Sequence, residues 1–294
     1  MHVQRKPRRD SKRLRDPVTK WNISLRLLED SEHMKPKPQQ PRQLLGRSIR
    51  LARRLERIAS GLAASKPLTL AGYGFLIRSR RLARAIQAIP PECAYEALIL
   101  LRTMLEIFFD YRWIRIKHKH SRAVRFLRYQ PIDMLKCFDK LPSSFTPDQR
   151  RGIRTRLKAE RSKARHLFRV RDRNNKLRWA ASWAYPVSSV ASRMHELRSS
   201  PGTTPQDNYW HGIYSWMSWV VHATPQSVNQ VVSPSGALRP RSKSLSDPSM
   251  PPFVAFVLLL STIDLLANDL QLSAVLEPEV SRLKRKMKYP SQVP

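Results

Sequence analysis

Apolar residues recur along most of the chain at the three- and four-residue steps of an amphipathic helix, and the two-residue alternation of strands is nearly absent. Five segments carry this pattern most clearly: residues 43–64, 69–89, 91–117, 121–141, where Pro131 is expected to kink or break the helix, and 253–272. Residues 91–117 and 253–272 are apolar nearly all round, so we expect them at the centre of the fold. The pattern predicts an all-α protein, a bundle of about six to eight helices around these two segments.

A helix start with its own capping residues stands in the middle of the chain. Thr146 can cap the helix, Pro147 suits its first turn, and Gln149 completes a capping box. The helix that follows, to about Arg171, has a thin apolar stripe among many cations, which predicts a place on the outside. Two further helices are expected at residues 179–197 and 208–222. The first of them is bent or interrupted near Pro186.

Composition divides the chain into an arm, a helical domain and a tail. Residues 1–42 are basic and proline-rich and predict a largely irregular arm, with a short helix at residues 21–28. Residues 43–276 hold the predicted helical domain. Within it, residues 223–252 are rich in Pro and Ser and predict a long flexible loop before the last core helix. Residues 277–294 form a basic tail.

The positive charge, a formal net of +33, is concentrated in particular parts of the chain. Residues 1–60 carry 17 basic and 6 acidic side chains, and residues 115–178 carry 21 and 5, whereas residues 179–281 are slightly acidic. A uniform compositional bias would have raised the last segment too. The distribution favours a surface that meets a polyanion, because Lys and Arg placed on phosphates release condensed counterions. The alternative is a well-solvated surface in an arginine-rich protein.

Two of the predicted helices present arginines at helical spacing, as contact with a polyanion would require. The expected nucleic-acid contacts are Arg47, Arg50, Arg54 and Arg57 on the helix of residues 43–64, and Arg150, Arg154, Arg161 and Arg165 on the helix that begins at Pro147. The sequence has no helix-turn-helix or zinc-finger signature with which to recognise base edges. We therefore expect RNA or single strands as the partner, bound without sequence specificity.

Motifs for cofactors, metals and membranes are missing from the sequence. There is no phosphate-binding glycine loop, no paired HExxH-type metal site and no CxxC pair, and the 2 cysteines argue against a disulfide scaffold. His118 and His120 stand among lysines that would repel a metal ion. The most apolar run, residues 250–263, meets Asp264, and no secretory signal opens the chain. We expect no cofactor, no metal, no membrane association and a cytoplasmic location.

One group of polar residues has the spacing of a site. Arg102, Glu106 and Asp110 fall at i, i+4 and i+8 on the most apolar helix, so they share one face of an element that we expect to be buried. The same spacing recurs at Tyr214, Ser218 and His222, with His211 and Ser215 on a neighbouring stripe, and Ser261, Asp264 and Asn268 add polar positions to the last core helix.

If these helices pack together, Arg102 and Glu106 can meet Ser218 and His222 in a polar pocket. There His222 could serve as general acid or base, Glu106 could orient it, and Arg102 could stabilise an anion. The alternative is a satisfied buried polar network that fixes the register of the helices. The spacing alone leaves both interpretations open.

The same residues carry a resemblance to a known family. The stretches LLRTMLEIFFDYRWI, SRAVRFLRY and YSWMSWVVHATP resemble an uncharacterised bacterial all-helical family. Its recurrent features fall on Arg102 and Glu106, on Arg122, Ala123 and Phe126, and on Tyr214, Ser218 and His222. The resemblance spans about residues 70–225 and the terminal helix. It implies a helical bundle and no particular reaction.

A looser similarity is to the HEPN superfamily of helical domains, which includes metal-independent ribonucleases of toxin and antiviral systems. Its signature has four to six residues between an Arg and a following His on one helix. Such spacings occur here at Arg112 or Arg115 before His118 and His120, and at Arg161 before His166.

Three functions follow as hypotheses. The first is a basic nucleic-acid-binding protein of a bacterial defence or toxin-type system. The second is a HEPN-like ribonuclease or hydrolase that uses Arg102, Glu106, Ser218 and His222. The third is a non-enzymatic subunit that docks on nucleic acid held by protein partners.

Overall fold

Helices make up nearly all of the regular structure in the computed structural model, which describes residues 39–62, 66–138, 140, 145–172, 174–187, 189–200, 205–221 and 248–286. In chain order they are α1 (Gln39–Leu62), α2 (Pro67–Ala88), α3 (Ala94–Ile116, after a 3-10 turn at Pro91–Cys93), α4 (Lys119–Arg128), α5 (Gln130–Phe138), α6 (Pro147–Lys163), α7 (Arg165–Phe168), α8 (Val190–Arg198), α9 (Pro205–Val221), α10 (Met250–Asp269) and α11 (Ser273–Lys286). Strands β1 (Arg169–Arg171) and β2 (Leu177–Trp179) form a two-stranded antiparallel sheet. The all-α class is confirmed.

The core forms where α1, α2, α3 and α10 pack on one another. Helix α10 contacts the other three and is buried along most of its length, with Phe256, Leu259, Ile263 and Leu266 fully enclosed. Residues 91–117 and 253–272 were expected at the centre, and α3 and α10 occupy it. Both have apolar residues on nearly every face, which only a central position can bury.

A buried polar contact ties α3 to the end of α10. The Tyr111 hydroxyl donates a hydrogen bond of 2.6 Å to Asp269 Oδ2, and Arg115 Nε lies 3.0 Å from the same oxygen. Burial raises the pKa of Tyr111, and the Asp269 charge raises it further, so the phenol stays protonated and donates. Helix α10 is also long and apolar enough to cross a membrane by length and composition, and 72% of its most apolar window is buried within the fold.

The middle of the chain differs most from the sequence-based expectation. The capping box of Thr146 and Gln149 is confirmed, and α6 begins at Pro147. The predicted continuous helix to Arg171 is wrong, because α6 ends at Lys163 and the chain enters β1 after the single turn of α7. Asp172 stabilises the turn between β1 and β2, since its carboxylate accepts hydrogen bonds from the backbone N–H groups of residues 174 and 176.

Other boundaries also shift. Residues 121–141 form two helices that meet at Tyr129, with Pro131 in the first turn of α5, where its missing N–H costs little. The helix expected at 179–197, bent or interrupted near Pro186, is reduced to α8, because Trp179 pairs with Arg169 in the sheet. Helix α1 begins at Gln39, inside the predicted arm, and α11 runs through the predicted boundary at residues 276 and 277. The rest of the arm, the helix at 21–28 and most of the 223–252 loop lie outside the described residues.

Candidate functional site

The structure brings part of the predicted polar group together between α3 and α9. Arg102 Nε lies 3.3 Å from Glu106 Oε1, one turn along α3. From α9, the Tyr214 hydroxyl donates a hydrogen bond of 3.2 Å to the same Glu106 oxygen. The Arg102 guanidinium also lies over the Tyr214 ring, 5.6 Å from its centroid. We call Arg102, Glu106 and Tyr214 the α3–α9 cluster. Its Arg102 and Glu106 side chains are 17% and 34% exposed, so solvent reaches it.

Asp110 has a different partner from its two neighbours on the α3 face. Its carboxylate accepts a hydrogen bond of 2.7 Å from Arg193 Nε of α8, and the two side chains are 17% and 6% exposed. Burial raises the pKa of Asp110 to about 6, while the Arg193 charge and hydrogen bond oppose that rise. The pair therefore fixes α8 against the core helix.

The other predicted members of the polar pocket lie on α9 and α10 or outside the described residues. Ser218 lies one turn beyond Tyr214 on α9 and is half-buried, while His222 lies outside the described residues. His211 is half-buried, and burial lowers its pKa, with further lowering from Arg198 and His195. Ser215 and Ser261 are half-buried as well.

Two polar residues of α10 contact α11, a helix whose position the sequence could not predict. Asp264 Oδ2 lies 3.2 Å from Lys284 Nζ, and Asn268 accepts a hydrogen bond from the Ser273 hydroxyl. These two residues of the last core helix therefore make their ion pair and hydrogen bond with α11. Their contacts follow from the turn after Asp269, which returns α11 along α10.

Sequence reasoning missed a polar junction centred on Arg122 of α4. One of its guanidinium nitrogens donates to the Trp113 carbonyl oxygen at 2.6 Å, and another bonds to Glu196 of α8 at 2.7 Å. The Trp113 indole also donates to Glu196, and the Arg122 guanidinium lies 3.5 Å from that ring centroid. These contacts lower the pKa of Glu196, although burial works in the opposite direction. The Arg-Ala-x-x-Phe motif was the sequence signal that could have identified this junction. Its arginine, on α4, contacts α3 and α8.

Helix α6 is the most exposed of the long helices, as its thin apolar stripe predicted. Leu157 is its buried residue, packed on Leu135 and Phe138 of α5. Seven of its seventeen residues are Lys or Arg, against two acidic residues. The exposed cations of α6, α7, the two strands and the turn between the strands are Arg151, Arg154, Arg156, Lys158, Lys163, Arg165, Arg171, Lys176 and Arg178. We call this set the basic ridge.

Two of the four arginines predicted as contacts here lie on the inner side of α6. Arg150 is half-buried, and its guanidinium lies 5.5 Å from the Phe138 ring centroid. Arg161 lies 4.8 Å from the Trp179 ring centroid, and Arg169 approaches the same ring at 5.4 Å. They share a stripe with Leu157, because i+7 and i+11 from Arg150 return to one face. Arg154 and Arg165 are exposed, as a phosphate contact requires.

The four arginines predicted as contacts on α1 have different surroundings. Arg47 and Arg50 are exposed. Arg54 pairs with Glu279 of α11, while Arg57 lines an open cleft between α1 and α2. No group of three or more His, Cys, Asp or Glu side chains suited to a metal ion occurs within the described part of the chain.

Comparisons with known proteins bear on the family. No match was found among the curated proteins or the solved structures. A family model does match residues 70–237, which is more than half of the chain and covers the helices from most of α2 to α9. This agrees with the span of the resemblance carried by Arg102, Glu106 and Tyr214. The chain belongs to DUF5677, a family of unknown function.

Proposed function

We propose that the protein binds nucleic acid, RNA or single strands in preference to a specific duplex sequence, through the basic ridge. The observation that carries the proposal is the exposure of α6. This helix buries Leu157 alone among its described residues, yet it carries seven cations against two acidic residues. Charge held in this way costs self-repulsion and adds little to folding, so a polyanionic partner is its best explanation.

The acidic residues near the ridge do not cancel its charge. Asp148 lies 3.5 Å from Arg151, Glu160 lies 2.7 Å from Lys163, and Asp172 lies 2.5 Å from Arg178. The first two pairs join residues three apart on an exposed surface, where ion pairs are weak and easily exchanged for a phosphate. The third pair occupies one of the nine cations of the ridge. The ridge cations continue onto the two-stranded sheet, so a bound strand can follow α6 onto β1 and β2.

The test is a salt series on a charge-reduced variant. Arg154, Arg156, Lys158 and Arg165 are changed together to Gln, and binding of a labelled single-stranded RNA of about 20 nucleotides is followed by fluorescence anisotropy. Each lost phosphate contact should reduce the slope of log affinity against log salt by about 0.7, so we expect a decrease of up to about 3. Affinity at low salt should decrease at least about tenfold.

The control removes the same charge from other exposed positions. Arg78 and Arg81 of α2 and Arg282 and Arg285 of α11 are exposed and belong to other helices than the ridge cations. Changed to Gln, they should leave the salt slope within about one contact of the wild-type value. If the two variants lost the same affinity and the same salt slope, binding would depend on net charge alone, and the proposal that the ridge binds the RNA would fail. Salt-insensitive binding by the wild-type protein would refute it.

A second candidate is a phosphodiester hydrolase at the α3–α9 cluster, in line with the looser HEPN similarity. It is favoured by the meeting of Arg102 and Glu106 with Tyr214 at a place that solvent reaches. An arginine there can stabilise a phosphate oxyanion. Incubation of the same RNA with wild-type protein and with Arg102→Gln decides it. Cleavage abolished in a folded variant supports the hydrolase, and intact RNA with the wild-type protein leaves a binding protein.

A further inference from the structure

The cleft between α1 and α2 lies apart from the basic ridge and has a different construction. It is open to solvent, has a volume of about 530 Å³ and is lined by Arg53, Glu56, Arg57, Ser60 and Tyr73. The first four come from α1 and Tyr73 comes from α2. Helix α6 packs on α5 instead, so the two basic surfaces are built on different elements. We call this feature the α1–α2 cleft.

Two arginines give the cleft its charge. Arg53 and Arg57 are four residues apart on α1, which puts their side chains side by side on one helix face. Both are exposed, so their guanidinium groups remain accessible to a ligand. Two guanidinium groups held in this way match the several oxygens of one phosphate, each by charge-assisted hydrogen bonds.

The carboxylate in the cleft is neutralised by an arginine from the opposite helix. Arg80 of α2 donates from Nε to Glu56 Oε1 at 2.5 Å, and both side chains are 13% exposed. The pair also fixes α2 against α1 at this point. Glu56 therefore does not repel an anion as a lone carboxylate would, and the cleft keeps the positive charge of Arg53 and Arg57.

The rest of the lining suits an aromatic, hydroxylated ligand. Tyr73 is half-buried and packs against the hydrophobic core, which holds its ring in place beside the cleft. The Ser60 hydroxyl donates to the Arg57 carbonyl oxygen at 2.9 Å, so its own oxygen is available as an acceptor. An aromatic ring at a surface can stack on a base, and a hydroxyl oxygen can accept from a sugar hydroxyl.

We propose that the α1–α2 cleft binds a phosphomonoester of mononucleotide size, with the phosphate on Arg53 and Arg57 and the base against Tyr73. The volume falls within the range of small-ligand sites, about 300–1,000 Å³. The phosphate has two possible sources with the same chemistry, a free nucleotide and the phosphorylated end of a nucleic-acid strand. The proposal does not depend on the basic ridge, because it involves different helices and a terminal instead of an internal phosphate.

The test uses calorimetry with AMP and with adenosine, which lacks the phosphate. Wild-type protein should bind AMP at least about tenfold more tightly than adenosine, since charge-assisted hydrogen bonds are lost with the phosphate. Arg53→Gln with Arg57→Gln should weaken AMP binding at least about tenfold. The matched control, Arg78→Gln with Arg81→Gln, removes the same charge from exposed positions of α2 that do not line the cleft, and it should change AMP affinity less than about twofold.

Two RNAs that differ in a 5′-phosphate identify the source. A wild-type preference for the phosphorylated RNA, lost in the Arg53 and Arg57 variant, assigns the site to strand ends. Equal binding of both RNAs together with AMP binding assigns it to a free nucleotide. The ridge variant should keep its AMP affinity, which separates this site from the ridge.

Two results would overturn the proposal: equal affinity for AMP and adenosine, and a double variant that binds AMP like the wild-type protein. Circular dichroism and the melting temperature show whether the double variant is folded. If it is not, Arg57→Gln alone gives the same comparison with half of the charge removed.

Discussion

The centre of the molecule and its basic edge are stabilised in different ways. In the centre, α10 packs on α1, α2 and α3, and its residues from Val254 to Leu260 are nearly all buried. At the edge, α6 packs on α5 around three buried side chains, and arginines lie over aromatic rings beside it. The centre therefore relies on apolar burial, which scales with area. The edge relies on a few contacts and keeps its cations in water.

This difference has a consequence for dynamics. An element with few buried contacts opens locally at a free energy below that of global unfolding. Helix α6 and the two strands should therefore open before the centre does. A surface that binds a polyanion gains from this arrangement, because its side chains can adjust to the strand without disturbing the core.

The largest expected effect comes from the same substitution in the two regions. Leu259 of α10 is fully buried, and Leu157 of α6 is 8% exposed at the edge. We expect Leu259→Ala to lower the free energy of global unfolding by about 2–5 kcal/mol, because the core cannot close the cavity. Leu157→Ala should cost less, about 1–2 kcal/mol, because the thinly packed edge can close around the site, and it should mainly speed hydrogen exchange in α6.

Denaturant unfolding and hydrogen exchange of both variants give the measurement. A global cost for Leu157→Ala equal to that of Leu259→Ala would show that edge and centre unfold as one unit. The proposed distinction between the two regions would then fail.

The helices of the centre could be predicted from the sequence, because a buried helix needs apolar residues at helical spacing and this spacing is visible within a short stretch of chain. The segments of α2, α3 and α10 were placed within a few residues of their observed bounds. The edge was harder. The arginine-rich run to Arg171 is compatible with a continued helix, but the two strands pair across the turn that Asp172 stabilises. The contacts of Trp179 with Arg161 and Arg169 span ten or more residues, so helical spacing does not report them.

The candidate sites show the same contrast: contacts within one helix could be predicted, and contacts between helices could not. Helical spacing alone predicted that Arg102 and Glu106 lie side by side, and it identified Tyr214 as a candidate on α9. It could not supply Arg193 as the partner of Asp110, because the neighbour of a helix face depends on how other helices pack. The α1–α2 cleft was missed for the same reason, since Tyr73 and Arg57 meet only in the folded chain.

An intermediate effect tests how the centre is tied to α8. Burial raises the pKa of Asp110 to about 6 from an ordinary value of 3.8, so the folded state binds this proton more tightly than the unfolded state. Stability should therefore fall as pH rises from about 4 to about 6, by about 1–3 kcal/mol from this group. Asp110→Asn should remove this part of the pH dependence.

Denaturant unfolding at several pH values between about 4 and about 7 gives the comparison. The slope is the readout, because Asp110→Asn also lowers stability at every pH by leaving the buried Arg193 without its carboxylate. Identical pH profiles for the two proteins would show that Asp110 titrates near its ordinary pKa, and that this tie is less buried than the structure indicates.

The smallest expected effect compares two helical glycines with open space around them. A Cβ added at Gly74 of α2 or at Gly152 of α6 meets no atom within 4 Å, apart from the helix's own nearby backbone. Replacing either by Ala should favour its helix by about 0.5–1 kcal/mol, because alanine loses less backbone entropy. Gly72→Ala is the matched contrast, since its Cβ would collide with the Tyr111 hydroxyl and should destabilise by about 1–3 kcal/mol.

The two Gly→Ala substitutions should stabilise different parts of the molecule and should therefore be detected by different measurements. Gly74 belongs to a helix of the centre, so Gly74→Ala should raise the melting temperature of the whole protein. Gly152→Ala should slow hydrogen exchange in α6 and leave the melting temperature nearly unchanged, because α6 opens before the centre unfolds. A shift of the melting temperature as large as that of Gly74→Ala would mean that α6 is part of the cooperative core, in spite of its exposure. The ridge would then be a rigid surface, and its contacts with a strand would have to be preformed.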